Sequence, residues 1–160
     1  MKKKLKRGKG SQRKALVAVA AESIPLEDLN SGESGRVCGY YKMEVLGKVD
    51  SEHVNQFIKK NADGDIVLFT DKNTAYAHLE DIVETHFTVV SGEDSTNDTL
   101  RWVHKAISNL KRKLLGINHM ITYKYLQNYL NEFVYKLNRR YFGDRLFHRL
   151  IIAAIHPYVQ

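Results

Sequence analysis

The stretch from Asn97 to Gly116, NDTLRWVHKAISNLKRKLLG, constrains this chain more than any other. Leu100, Val103, Ile107, Leu110 and Leu114 recur at alternating intervals of three and four residues, the spacing of one apolar stripe on an α-helix. Asn97 or Asp98 is suited to cap its start, Lys and Arg fill its last turns, and Gly116 is suited to close it. His104, Ser108 and Lys111 fall on a second stripe beside the apolar one. That second stripe is where the chemistry is expected.

The rest of the chain is long enough, at 160 residues, to surround such a helix with a single core. Its formal net charge of +7 favours a polyanionic partner or an anionic surface, without choosing between them. The lone Cys38 excludes an internal disulfide framework and a cysteine-based zinc site, and it suits a reducing cytoplasm. A basic start followed by Ala15–Ala21 (ALVAVAA) imitates a signal peptide, but a buried strand is the better reading of so short an apolar run. Nothing approaches the ~20 apolar residues that a membrane span needs, so no membrane partner is expected.

Residues 1–13 are expected to form a basic, flexible arm, with Lys2, Lys3, Lys4, Lys6, Arg7 and Lys9 among glycines. Such lysines neutralise phosphates but do not read bases; a plain solvated tail is the alternative. Lys14–Glu22 predicts a strand buried on both faces, Ser23–Gly35 a loop, and Arg36–Val49 a second, antiparallel strand interrupted at Gly39. Asp50 or Ser51 caps a helix reaching about Lys60. Ile66–Thr70 is a compact strand that delivers Asp71 at its end. Thr74 then opens a helix carrying Tyr76, Leu79, Ile82 and Val83, and His86–Val90 is a further strand. After the organising helix, Thr122–Arg140 and Asp144–Ile155 both read as helices, the second stopped by Pro157. Strands and helices in this order give an α/β chain, a sheet covered by helices, with the last strands parallel.

Asp71 leaves the mouth of an apolar strand, where open α/β sheets bind ligands, so it is a candidate metal ligand or general base; a turn or capping aspartate is the plainer alternative. His104 and Lys111 lie two turns apart on one helix face. Each alone is ordinary, and only the three together suggest a site. Tyr123, Tyr125, Tyr129, Tyr135 and Tyr141 interleave with Lys124, Lys136, Arg139 and Arg140, which would suit base stacking. Helical spacing instead sends Tyr125 and Tyr129 into the core. Lys111, Arg112, Lys113, Arg139 and Arg140 remain the better phosphate contacts.

"LFTD…AY" (Leu68–Asp71, Ala75, Tyr76), His86, "WVHKAISNLKRKLLG" (Trp102–Gly116), His119, "YLNEF" (Tyr129–Phe133) and "NRR" (Asn138–Arg140) together resemble a bacterial insertion-sequence transposase. The branch is the ISXO-like group of DDE transposases, and the likeness runs from about Lys6 to about Ile155. The resemblance implies an RNase H-like mixed sheet flanked by helices, here a partial catalytic domain over residues 14–160. It implies metal-dependent DNA strand cleavage and transfer with Mg²⁺ or Mn²⁺ as cofactor, transposon-end DNA as partner, and a homo-oligomer on that DNA. Asp71 matches the second acid, His104 the third ligand, and Lys111 a basic residue that contacts DNA phosphate.

Two departures qualify it. Family members carry their first acid on a strand upstream of the basic-glycine turn, and no acid precedes Glu22 here. Glu22 matches a different family position. The first acid and its central strand are therefore expected to be missing, which makes residues 1–160 a transposase fragment inactive alone. The strands left behind would expose unpaired edges, predicting poor solubility or dimerisation. The second departure is the imidazole of His104, a poor partner for Mg²⁺. A non-catalytic basic nucleic-acid-binding module is the competing reading. A protein–protein adaptor built on the C-terminal helices is a third.

Overall fold

The computed structural model describes residues 14–27, 34–76, 78–90, 99–117 and 121–155. The basic arm expected at residues 1–13, and the capping candidates Asn97 and Asp98, lie outside them.

Two long strands, β1 (Leu16–Glu27) and β2 (Ser34–Leu46), pair antiparallel. Both extend into the stretch expected to be loop. Arg36 stitches that extension, donating from Nε to the Ser23 hydroxyl and from Nη2 to the Ser23 carbonyl, each at 2.8 Å. Among the described residues the far edge of β1 carries no ladder, which suits Pro25 to this edge strand. The interruption expected at Gly39 is a β-bulge: Ala21 pairs with Tyr41 but Ser23 pairs with Cys38, so Gly39 and Tyr40 together oppose Glu22. The Glu22 carboxylate turns in and accepts the Tyr40 N–H at 3.0 Å, and a Cβ at Gly39 would collide with that carboxylate. A larger residue there would need the flexible ends of Glu22 and Ile24 to swing aside.

Helix α1 (Ser51–Asn61) starts as its sequence indicates. The Asp50 side chain accepts the His53 N–H at 3.0 Å. Strands β3 (Val67–Asp71) and β4 (Thr85–Val89) then pair in parallel, as the helix-strand alternation predicts. The helix expected between them is instead two single 3₁₀ turns, Thr74–Tyr76 and Leu79–Asp81. His78 breaks it by adopting a left-handed conformation, φ 66°, which lets Ala75 and Leu79 both reach the core.

Helix α2 (Arg101–Gly116) is the organising element, but two details differ from expectation. It begins after Leu100 with no side-chain cap, and it ends without a left-handed glycine, since Ile117 continues right-handed. Its buried face is also turned: Ala106 and Leu110 are buried, with Trp102 and Leu114 packed beside them, while Val103 and Ile107 sit half-covered on the flank. Helix α3 (Leu126–Asn138) follows a short 3₁₀ turn at Tyr123–Tyr125, and a second 3₁₀ segment, Arg140–Arg145, leads to α4 (Leu146–Ile155). Gly143 makes that corner at φ 50°, ψ −129°, a region open only to glycine. Tyr125, expected in the core, is exposed because it precedes the α3 stripe rather than joining it; Tyr129 is half-buried.

The architecture is mixed α/β with two cores. Tyr41 and Met43 of β2 and Val17, Val19 and Ala21 of β1 face α2 and α3 around Leu130. The opposite face of the same hairpin, Ala18, Ala20 and Leu46, meets α1, Leu68 of β3 and Leu79. The α1 core therefore touches both sheets. Even so, among the described residues the strands form two separate two-stranded sheets, with no ladder from β1 to β3.

Candidate nucleic-acid and metal site

Asp71 closes β3 and is exposed. Strand alternation decides where it points. Leu68 and Thr70 turn toward the α1 core, so Val67, Phe69 and Asp71 turn to the other face. Across the pair, the Thr70 hydroxyl and His86 Nε2 share a hydrogen bond of 2.8 Å, and Phe69 stacks on Phe87 with centroids 5.4 Å apart. Asp71 is close enough to Tyr76 for its charge to be felt: burial raises the Tyr76 phenol first, and the Asp71 carboxylate adds to that. A turn role is visible as well, since the Asp71 carbonyl accepts the Asn73 N–H at 2.9 Å.

His104, Ser108 and Lys111 are all exposed on α2, as the second stripe predicts. Helix α2 covers the face of β1 that lies opposite α1, and Asp71 also turns away from α1. No hydrogen bond or ion pair joins Asp71, His104 and Lys111 among the described residues, and no cluster there of three or more His, Cys, Asp or Glu could hold a metal ion.

The basic residues divide by how committed they are. Lys111 makes no ion pair among the described residues. Arg112 donates to Asn109 Oδ1 at 2.6 Å, and Arg139 lies over the Tyr135 ring, 3.9 Å from its centroid. Lys113 pairs with Glu132 at 3.1 Å, and Lys136 joins the same carboxylate at 2.6 Å. The two hydrogen bonds, Lys136 first, hold the Glu132 carboxyl below its ordinary range. Arg140 is the most engaged. Its guanidinium donates to the Cys38 and Leu137 carbonyls and to the Tyr141 hydroxyl, and the ring of Tyr141 lies beneath it. Trp102 is flanked by Arg101 and Lys105, 4.5 and 4.9 Å from its ring centroid, so those cations already occupy its face. Lys3, Lys4, Lys6, Arg7 and Lys9 lie outside the described residues.

Sequence reading missed two side chains that hold α3 to the outer edge of β2. Asn138 Oδ1 accepts the Tyr41 N–H at 2.8 Å while its Nδ2 donates to the Tyr41 carbonyl at 3.0 Å. Gln127 Oε1 accepts the Val45 N–H at 2.8 Å while its Nε2 donates to the Met43 carbonyl at 3.1 Å. A carboxamide presents one acceptor and one donor, matching a strand edge. The only signal in the sequence was Asn138 within the "NRR" run.

The family model described as "ISXO2-like transposase domain" matches residues 1–138. The chain belongs to that transposase family. No curated protein and no solved structure matches it. The matched span holds both sheets, α2 and α3, so Asp71, His104, Lys111 and the Asn138 clamp all fall inside the transposase domain, while Arg139, Arg140 and α4 follow it. This transposase domain has, among its described residues, no helix long and apolar enough to cross a membrane.

Proposed function

We propose that residues 14–160 are part of an RNase H-like catalytic domain of an insertion-sequence transposase that binds transposon-end DNA but does not cleave it unaided, with residues 1–13 as a phosphate-contacting arm. One observation carries this reading: among the described residues, two strand pairs share the α1 core yet form separate sheets. A single strand between β1 and β3 would merge them into one mixed sheet. Such a strand would run beside Asp71, where the family resemblance puts the first catalytic acid.

Asp71 is the proposed second acid and His104 the proposed third ligand. Lys111 is the proposed contact to the phosphate being cut. The implied cofactor is Mg²⁺ or Mn²⁺, which in a two-metal site supports in-line displacement at phosphorus. The described residues do not fit it by themselves. One carboxylate and one imidazole fall short of the oxygen-rich shell that Mg²⁺ requires. No step of strand transfer is therefore assigned to residues 1–160 alone.

Binding is electrostatic in this reading. Lys111 and Arg112, with the arm residues, contact backbone phosphates. Lys113 and Arg140 contribute only if they leave Glu132 and the Cys38 carbonyl, so they serve first as structural cations. The test measures duplex DNA affinity against salt and strand transfer with Mg²⁺ or Mn²⁺. The expected result is strongly salt-dependent binding without transfer, with Lys111→Ala lowering the log–log salt slope by about one phosphate contact. Robust transfer by residues 1–160 would overturn the incomplete-site reading. The competing reading, a non-catalytic binding module, is favoured by the lack of a three-donor cluster among the described residues. Mn²⁺ titration separates them: paramagnetic broadening at both Asp71 and His104 supports the transposase site, and broadening at neither supports the module.

A further inference from the structure

The two edges of the β1–β2 hairpin are finished differently. On β2, Tyr41 bonds Asn138, and Met43 and Val45 bond Gln127, through backbone groups that point away from β1. Further along the same edge, the Arg36 carbonyl accepts Arg101 at 2.9 Å, and the Cys38 carbonyl accepts Arg140 and the Tyr141 hydroxyl. In an antiparallel ladder, residues opposite such outward positions also point outward. The register therefore sets the N–H and C=O groups of Val17, Val19 and Ala21 on the outer edge of β1, opposite Val45, Met43 and Tyr41. Pro25, opposite Arg36, falls on the same edge and has no N–H to present there. Among the described residues nothing bonds the three open positions. Edge strands are ordinarily blunted by charge, proline or a bulge. From Ala15 to Ala21 there is none of these, and Glu22, the bulge and Pro25 follow just beyond. Val17, Val19 and Ala21 pack toward α2 and α3, Ala18 and Ala20 toward α1, and all five are half-buried. This is an apolar edge held between helices.

We propose that this edge takes up one extended apolar segment of a separate polypeptide, as an added strand between β1 and β3. The proposal rests on the reading above that a strand is wanting there, and it adds what fits and how it is held. Ala18 and Ala20 of β1 and Leu68 of β3 pack in the same α1 core. A helix about 10–12 Å across covers about three strands spaced at about 4.8 Å, which leaves room for one strand between β1 and β3. A second copy of this chain would bring α1 and α2 on either side of its own β1 and is too thick for that space. Residues 1–13, 28–33 and 91–98 hold no two apolar residues in alternation, and 156–160 is interrupted by Pro157, so none of these stretches supplies the strand. The segment is held by backbone bonds to Val17, Val19 and Ala21 and is apolar on both faces, because one turns toward α1 and the other toward α2. It lies in the plane of the sheets, so the face that carries Asp71 stays open.

Hydrogen exchange on the full 160-residue chain tests this. The probe is an end-blocked peptide of alternating valine and alanine with lysines at both ends. At about ten times its dissociation constant, it is expected to slow exchange of the Val17, Val19 and Ala21 amides roughly tenfold. The Ala18 and Ala20 amides, which already face β2, keep their rates. The same peptide N-methylated along its pairing edge lacks the donors and should leave all five rates unchanged. Alternating protection that disappears with the methylated peptide supports the proposal. Slow exchange of the three amides before any peptide is added, no slowing at up to about 1 mM peptide, equal slowing of all five amides, or an equal effect of the methylated peptide would each overturn it. None of these outcomes alters the salt dependence of DNA binding, so the functional reading stands or falls separately.

Discussion

The antiparallel hairpin and the parallel pair are built from similar residues but finished differently. The hairpin is covered on both faces, by α2 and α3 on one side and α1 on the other. Its outer edge is also closed, since Asn138 and Gln127 bond the free N–H and C=O groups of β2. The β3–β4 pair has α1 and the 3₁₀ turns beneath it, while Val67, Phe69 and Phe87 on its other face are left exposed among the described residues. Stability should therefore be concentrated in the hairpin half, while the half that holds Asp71 stays open to solvent, ligand or partner. Site-bearing elements are commonly drawn from the less stable end of a fold.

The sharpest break of that comparison is in the hairpin core. Leu130 is fully buried between β2 and α2. Leu130→Ala is expected to lower unfolding free energy by about 2–5 kcal/mol, read from urea midpoints at unchanged slope. An effect under about 1 kcal/mol would show that the hairpin core is not the stable half.

Next in size is the edge clamp. Asn138→Ala strips partners from both backbone groups of Tyr41, and unsatisfied buried groups cost about 1–3 kcal/mol each, less whatever water regains. Hydrogen exchange at the Tyr41 amide should accelerate while Val45, held by Gln127, stays protected. Equal acceleration of both would mean that α3 leaves the edge as one unit.

A smaller effect is carried by carboxylates. Asp50 is held below its ordinary range first by the His53 N–H, then by the His53 ring, and Glu132 by Lys136 and Lys113. Because their folded values are depressed, these groups stabilise the fold at neutral pH, and that stabilisation fades as pH falls through about 4 and below. Both are largely exposed, so the loss is modest and salt-sensitive. Lys113→Met and Lys136→Met together should flatten the Glu132 share of the acid limb, seen in melting temperature against pH.

How much of this was legible in the sequence follows from which forces act locally. The Asp50 cap, β3 and β4 and their parallel pairing depend on neighbouring residues, and sequence reading found them. The segment between β3 and β4 did not follow its helical spacing, because burying Ala75 and Leu79 together over α1 outweighed helix propensity. The turned face of α2 was hidden for a similar reason: Trp102 and Ala106 fit the hairpin better than Val103 and Ile107, which only coordinates reveal. For the candidate site, the residue types and their exposure were readable, and the strand-end place of Asp71 was correct. The commitments of Arg140 and Lys113 were not, since their partners, Cys38 and Glu132, are far away in sequence.

The smallest expected effect probes the open face. Phe69 and Phe87 stack on each other but remain about half exposed. Phe69→Leu, which keeps most of the apolar bulk, should cost no more than about 1 kcal/mol in urea denaturation, the worth of the aromatic pair. A cost above about 2 kcal/mol would mean that the β3–β4 face is already covered within the chain. The two halves would then be finished alike, and the contrast between them would vanish.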